Sequence, residues 1–283
     1  MGDIDDDGLP ISEVGEWAVE KHARLEKYIR TYRHVREKFI DPNKSKRRAS
    51  VGKVAGATYV ELFCGPGKCR VRETGQLIDG SPLVACKTAL ADGVPFSEIH
   101  LADVNPDFSA AAVARVNANG GQAVGYVGTA EVTARKIVSK LNPEGLHFAF
   151  IDPWNLSGLS FALIRTLSTL QHVDLLLHVS VLDLQRNSDR YTAQEYDTFE
   201  TFAPGWRSKV MLDQGLPAIR GAVLAHWQDL VKSLGFLDIR SAELIRGSRN
   251  QRLYWLAFAS RHPIANYFWN QISSTSGQRK WDF

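Results

Sequence analysis

The sequence predicts an α/β fold, with a mostly parallel, doubly wound sheet that ends in an antiparallel hairpin. Apolar strand segments alternate with helical segments from Thr58 to Val181, and this alternation is typical of a parallel sheet with helices on both faces. Two later strand segments, 236–245 and 252–259, flank the turn sequence Arg-Gly-Ser-Arg-Asn and predict the hairpin. The 283 residues suffice for one large domain or two small ones.

Each element follows from local patterning. The first strand begins at residue 58 and runs into a glycine turn, and further strands are predicted at 98–104, 122–127, 146–151 and 173–181. Helices are predicted at 16–40, 81–90, 106–119, 129–141, 159–170, 216–234 and 263–272. Ser81 is expected to cap its helix, with Pro82 in the first turn. Residues 75–80 are expected to form a loop.

The predicted domain organisation places a tail, a basic amphipathic helix and a linker in residues 1–57, before an α/β domain at 58–283. Residues 1–9 are acidic and are expected to be frayed. The helix at 16–40 has one apolar and one basic face. The basic connector after it fits either a solvated linker or a contact to nucleic-acid phosphates. An aromatic-rich insertion at about 189–215 is expected to cover the site.

Composition narrows the class of protein. The net charge is only +3, and no apolar run approaches the ~20 residues of a membrane span. The acidic N-terminus lacks the apolar region of a signal peptide. The three cysteines have no metal-type spacing, so we expect a reducing, cytoplasmic environment, no disulfide framework and no metal site.

The segment Glu61-x-Phe63-x-Gly65-x-Gly67 follows the first predicted strand. It lacks the third glycine of the dinucleotide fingerprint and the Gly-Lys-Ser/Thr of a phosphate-binding loop. It resembles motif I of methyltransferases, in which two glycines let the chain pass close to S-adenosyl-L-methionine (SAM). A tight strand exit is the alternative interpretation. The predicted layout, a parallel sheet with a terminal antiparallel hairpin, also resembles the Rossmann-like fold of class I SAM methyltransferases.

Three more residues are predicted to bind the same cofactor. Asp103 ends the second strand, where an acid can accept hydrogen bonds from both ribose hydroxyls; the alternative is a cap of the following helix. Ser81 lies at a helix N-terminus and Lys21 on the first helix, and both are candidates to bind the carboxylate of the cofactor. The alternative for Lys21-His22 is a solvated basic face.

The segment Asp152-Pro153-Trp154 ends the fourth strand. It resembles the Asp/Asn-Pro-Pro-aromatic motif of amino-methyltransferases, with Trp154 in place of the second proline. In such a motif the carboxylate accepts a hydrogen bond from an exocyclic amino group and the aromatic ring stacks on the base. We therefore predict that Asp152, Pro153 and Trp154 are catalytic. An ordinary strand-to-helix turn is the alternative.

Polar residues near these strand ends are candidates for substrate binding. Asn155 follows the Asp-Pro-Trp segment, and Arg186 and Asn187 follow the fifth strand. His178, inside the fifth strand, is expected to be a hydrogen-bonded core histidine.

The order of several motifs resembles the three-Cys-motif partner (TcmP) family over residues 20–272. The matching segments are Lys21-His22, ELFCGPG, DGSPLVA, LADVNP, FIDPWNLSGLSF, VSVLDLQRN and YWLAFASRHPIANYFW. This resemblance implies a methyltransferase-like fold and a partner that is a radical-SAM-like three-Cys-motif protein. A weaker similarity, to bacterial 23S ribosomal RNA adenine-N6 methyltransferases, implies that Lys21, Ser81, Asp103 and Asp152 contact SAM or the target amine.

These observations give two hypotheses for function. The first is a SAM-dependent methyltransferase that modifies an amino group of a nucleic-acid base. The second is a SAM-binding partner of the three-Cys-motif protein, with weak or no catalysis.

Overall fold

The computed structural model describes residues 3–44, 54–237, 239, 242–247 and 250–273. Most of the predicted basic connector, residues 45–53, and residues 248–249 of the predicted hairpin turn lie outside these ranges. The chain divides into two compact units: unit 1 is residues 1–150 with 170–173, and unit 2 is residues 151–169 with 174–283.

The secondary structure follows the predicted alternation. The strands are β1 Ser12–Val14, β2 Ala57–Glu61, β3 Lys68–Val71, β4 Leu77–Asp79, β5 Glu98–Asp103, β6 Ala123–Val127, β7 Leu146–Ile151, β8 His172–Ser180, β9 Ala242–Arg246 and β10 Arg252–Ser260. The helices are α1 Trp17–Thr31, α2 Arg33–Ile40, α3 Ser81–Ala91, α4 Pro106–Ala118, α5 Ala130–Val138, α6 Phe161–Leu167, α7 Val181–Thr192, α8 Thr198–Phe202, α9 Leu216–Ser233 and α10 Pro263–Ser273.

Within the described residues the main sheet has seven strands, and its unit 1 part is entirely parallel. Strand β2 is paired with β5 on one side and β7 on the other, and β6 lies beyond β5. Every residue of β2 and β7 is buried, which is typical of central strands in a sheet covered on both faces. Glu61 at the end of β2 is in register with Leu101 and Phe150, so the carboxyl ends of these strands lie at one edge.

The first predicted helix is broken in the structure. Instead of one helix over 16–40, α1 and α2 are separated at Tyr32, which has φ −87° and ψ 5°. The Tyr32 ring is buried and stacks on Tyr28 at a centroid distance of 5.3 Å. Since no glycine or proline marks the break, tertiary packing outweighs local helix propensity here.

A second sheet of three strands corrects two predictions about unit 1. Strand β3 pairs in parallel with β1 and antiparallel with β4. The predicted loop at 75–80 therefore contains β4. The expectation of a frayed N-terminus is also wrong for residues 3–9, because Asp5 and Asp7 form ion pairs with Lys68.

Unit 2 contains the antiparallel strands β8, β10 and β9, in that order. The predicted insertion at 189–215 includes the short helix α8, and its Phe199, Phe202 and Trp206 are buried. Phe202 stacks on Trp227 of α9 at 4.9 Å. These aromatic side chains form part of the core of unit 2 and are not displayed to a ligand.

The four parallel strands with their helices and the terminal antiparallel hairpin confirm the predicted Rossmann-like class I methyltransferase fold.

In the described part of the chain, no helix combines the length and the apolar character needed to cross a bilayer.

Candidate functional site

The glycine loop leaves β2 through two residues with left-handed backbone conformations. Gly65 has φ 55° and Gly67 has φ 85°, and glycine adopts such values without the strain that a Cβ atom brings. Gly80, before α3, donates its N–H to the carbonyl oxygen of Gly67 at 2.8 Å. A Cβ on Gly80 would lie 2.9 Å from the Gly67 carbonyl carbon, so the loop is packed directly against the start of α3.

Asp103 connects the ends of two neighbouring parallel strands. Its Oδ2 accepts a hydrogen bond from the Gly65 N–H at 3.0 Å, and its Oδ1 accepts one from the Asn105 N–H at 2.9 Å. A carboxylate has about four acceptor positions, and the described residues use two of those of Asp103. The alternative of a helix cap is corrected, because Asn105 is the N-cap of α4 and Asp103 only accepts a hydrogen bond from the Asn105 N–H. Binding of ribose hydroxyls by Asp103 stays a prediction.

Glu61 and Ser81 form a buried pair between β2 and α3. Glu61 is fully buried and accepts hydrogen bonds from the hydroxyl groups of Tyr59, at 2.8 Å, and Ser81. The predicted N-cap is therefore corrected by one residue: Gly80 is the N-cap, and Ser81 is the first helical residue. Its hydroxyl group anchors α3 to Glu61.

Lys21 is buried in unit 1. Its side chain lies among aromatic rings, with Nζ 4.8 Å from the centroid of Trp17 and 5.9 Å from that of Phe150. His22 is also buried. The alternative of a solvated basic face for Lys21-His22 is thus wrong. Binding of a cofactor carboxylate by Lys21 stays a prediction.

The other residues of the loop differ in accessibility. Phe63 is half-buried, whereas Cys64 is buried. Burial, together with the nearby carboxylates of Glu61 and Asp103, raises the pKa of the Cys64 thiol far above its ordinary value. Because the thiolate is the nucleophilic form, Cys64 is not a nucleophile in this arrangement.

The Asp-Pro-Trp segment follows β7 and belongs to unit 2. Pro153 is buried, while Trp154 is 85% exposed. The Asp152 Oδ1 lies 3.8 Å from Nδ1 of His178 on β8. The His178 ring is buried and contacts Tyr254 on β10 at a centroid distance of 4.2 Å. His178 is a core residue as expected, and its contact with Asp152 was not foreseen.

The three predicted substrate residues have different surroundings. Asn155 caps the turn that follows it, since its Oδ1 accepts hydrogen bonds from Ser157 Oγ at 2.8 Å and Gly158 N–H at 3.2 Å. Asn187 donates to Asp183 at 2.6 Å. Arg186 is exposed on α7. A substrate contact stays a prediction for all three.

Asp183 is a residue whose role the sequence did not reveal. It lies in the first turn of α7 and accepts hydrogen bonds from Leu156 N–H at 2.8 Å, Asn187 and the Tyr191 hydroxyl at 2.9 Å. Burial and this hydrogen bond raise the pKa of Tyr191 to about 12. Asp183 thereby ties α7 to the chain just after Trp154. In the sequence, Asn187 and Tyr191 follow Asp183 by four and eight residues, a spacing that places polar side chains on one face of a helix.

No family model matches the chain, and no curated protein matches it either. Among solved structures, Trm1 from Pyrococcus horikoshii in complex with SAM is 9% identical, with a TM-score of 0.46 over 85% of this chain and 54% of that one. Aeropyrum pernix fibrillarin with natively bound SAM is 9% identical, with a TM-score of 0.37 over 72% and 66%. A SAM-dependent methyltransferase structure from Listeria monocytogenes is 10% identical, with a TM-score of 0.42 over 84% and 99%.

The chain thus spans about half of the Trm1 chain. Similarity at this level assigns neither a ligand nor a reaction to this chain.

Proposed function

We propose that this protein binds SAM in unit 1 and is a SAM-dependent methyltransferase that acts on an amino group of a nucleic-acid base. The observation that carries the first part is the hydrogen bond between the Gly65 N–H and Asp103. It places a flexible glycine backbone and a carboxylate at the carboxyl edge of two adjacent parallel strands, where α/β proteins bind nucleotide-like ligands.

The residues of unit 1 fit the chemical parts of SAM. Asp103 can accept hydrogen bonds from two ribose hydroxyls, because two of its acceptor positions are used by the protein. The Gly65–Gly67 backbone leaves room for close approach of the methionine part. Lys21 and the start of α3 offer positive charge for a carboxylate. When bound, SAM supplies a methyl group that is already activated by the sulfonium.

The proposed acceptor site uses the Asp152 and Trp154 side chains of unit 2. Asp152 would accept a hydrogen bond from an exocyclic N–H, which directs the nitrogen lone pair away from the ring. Trp154 is exposed enough to stack on a base. Positioning of this kind is the main task of an enzyme whose methyl donor is already reactive.

The second candidate function is that of a SAM-binding partner of a radical-SAM-like three-Cys-motif protein, with weak or no catalysis. It is favoured because the side chains of Asn155 and Asn187, two predicted substrate-binding residues, form hydrogen bonds within the protein. It is supported also by the resemblance to the TcmP family. Both candidates share the cofactor site and differ in the acceptor site.

Calorimetric titration with S-adenosylhomocysteine (SAH) tests the shared part. Wild type should bind SAH, and Asp103→Ala should lose most of that binding because the ribose loses its acceptors. Asp107→Asn is the matched control, since Asp107 is exposed in the first turn of α4. The absence of SAH binding to wild type would refute the proposal.

Methyl transfer from labelled SAM to a single-stranded oligonucleotide separates the two candidates. The methyltransferase hypothesis predicts label incorporation that disappears in Asp152→Ala. SAH binding without any incorporation, together with co-purification of the three-Cys-motif protein, would favour the partner role.

A further inference from the structure

Arg115 is a buried arginine in the last turn of the alanine-rich helix α4. Its side chain is only 3% exposed, and it lies one helical turn from Ala112, whose Cα a Cβ on Gly67 would approach to 3.3 Å. The helix that packs beneath the glycine loop therefore carries a guanidinium on the same face.

The guanidinium hydrogen bonds on one side to the glycine loop. Nη1 of Arg115 donates to the carbonyl oxygen of Pro66 at 2.7 Å. Pro66 lies between the two glycines with positive φ. This bond therefore fixes the peptide plane that joins Pro66 to Gly67, in a loop whose glycines impose few restraints of their own.

On its other side the same guanidinium binds residues 3–14, which we name the N-terminal strap. Two parallel bonds run to Asp7, from Nε at 2.8 Å and Nη2 at 2.7 Å. Further bonds run to the carbonyl oxygens of Pro10 at 2.7 Å and Leu9 at 3.2 Å. Bidentate pairing of this kind is the strongest and most directional arrangement available to arginine.

Lys68 adds a second attachment at the residue that directly follows Gly67. Its Nζ lies 2.5 Å from Asp5 and 3.6 Å from Asp7. The strap continues into β1, which pairs with β3 from Ser12 opposite Cys69. The strap thus contacts the glycine loop through Arg115 and the chain after it through Lys68.

The electrostatics agree with a tightly held strap. The hydrogen bond from Arg115 holds the pKa of Asp7 well below its usual range, and that from Lys68 lowers the pKa of Asp5. Both carboxylates are therefore ionised at neutral pH, and the pairs persist under the conditions in which a cofactor would bind.

We propose that Arg115 and Asp7 are positioning residues for the glycine loop, so that docking of the N-terminal strap and binding of the cofactor stabilise each other. The inference rests on the proposed function for the identity of that cofactor. Coupling of this kind is reciprocal: if the strap favours the binding conformation of the loop, the ligand favours the docked strap by the same factor.

The test compares wild type with Asp7→Asn, in which the bidentate ionic pair is lost but the side-chain shape is kept. Asp6→Asn is the matched control, because it removes the same charge from an exposed neighbour. Hydrogen exchange measured by mass spectrometry reports on the loop (peptide 62–69), on the strap (3–14) and on a reference strand, β6. Calorimetry with SAH reports on affinity.

Without ligand, Asp7→Asn should accelerate exchange in the loop and the strap, and leave β6 unchanged. It should weaken SAH binding about tenfold, equivalent to ~1.4 kcal/mol of a charged hydrogen-bonded pair. SAH should slow exchange in the strap of wild type. Asp6→Asn should behave as wild type in every measurement.

Two results would overturn the proposal. One is equal loop exchange and equal SAH affinity in Asp7→Asn and Asp6→Asn. The other is faster exchange throughout unit 1, β6 included, which would mean that Asp7 serves only global stability. If wild type does not bind SAH, the proposed function fails, and the ligand-free exchange of the loop still decides whether Arg115 and Asp7 position it.

Discussion

His147 should make the stability of the protein fall steeply below neutral pH. It is buried on β7. Its Nε2 lies 3.0 Å from the carbonyl oxygen of Asn142 and its Nδ1 lies 2.6 Å from Thr58 Oγ1. A carbonyl only accepts, so Nε2 carries the proton and the Thr58 hydroxyl donates to Nδ1. The site is built for a neutral imidazole.

The size of the effect follows from the pKa. Burial, reinforced by His172 and His100 nearby, lowers the pKa of His147 from 6.5 to about 4. As pH falls through 6.5, His147 becomes protonated in the unfolded chain but stays neutral in the folded chain. The stabilisation is therefore complete above pH 6.5 and is lost progressively down to about pH 4. At ~1.36 kcal/mol per pKa unit, the loss approaches about 3 kcal/mol.

Urea denaturation of wild type and His147→Asn between pH 7 and pH 4 measures this loss, and the difference between them cancels the other titrating groups. At pH 7 the variant should be less stable by about 1–2 kcal/mol, because packing and hydrogen bonds are lost. The difference should shrink and reverse towards pH 4. A constant difference across this range would refute the assigned protonation state.

Three further substitutions test the assigned contacts of single side chains. Asp183→Ala removes the acceptor of three hydrogen bonds, including that from Leu156 N–H, and should lower the free energy of unfolding by about 2–3 kcal/mol. In an ultraviolet titration the pKa of Tyr191 should fall from about 12, and an unchanged pKa would contradict the assignment. Trp154→Ala should change the free energy of unfolding by less than about 0.5 kcal/mol because the ring is 85% exposed. In anisotropy measurements it should weaken the binding of single-stranded oligonucleotides by about 1–3 kcal/mol, and an affinity equal to that of wild type would argue against base stacking. Arg36→Leu should lower the free energy of unfolding in urea by about 2–3 kcal/mol, because two buried backbone carbonyls lose their hydrogen bonds to the guanidinium. A smaller effect than that of the surface substitution Lys38→Leu would contradict this prediction.

The sequence predicted the elements that depend on periodicity. The strand 146–151 is observed with the predicted limits, and α9 agrees to within one residue. The hairpin is present, but its first strand begins at Ala242, six residues later than predicted. The carboxyl edge with Gly65 and Asp103 follows from the same pattern, because parallel strands bring their ends together. These features depend on local order and on one topological rule.

The features that the sequence could not predict are contacts between residues far apart in the chain. Asp7 and Arg115 are 108 residues apart, and the local composition around Asp7 resembles a disordered tail. Arg36 lies in a basic stretch, yet it is buried and donates to the carbonyl oxygens of Val94 and Ile29. The sequence around a charged residue does not show whether its side chain will be solvated by water or will hydrogen bond within the protein.

The three buried cysteines give the molecule a built-in probe of its own opening. Cys64 in the glycine loop, Cys69 on β3 and Cys86 on α3 are all buried, and all three belong to unit 1. A thiol reagent should therefore label the native chain only as fast as unit 1 opens around these side chains. The alkylation rate of the unmodified wild-type protein thus measures the opening of the structure around these three thiols, with no engineered label.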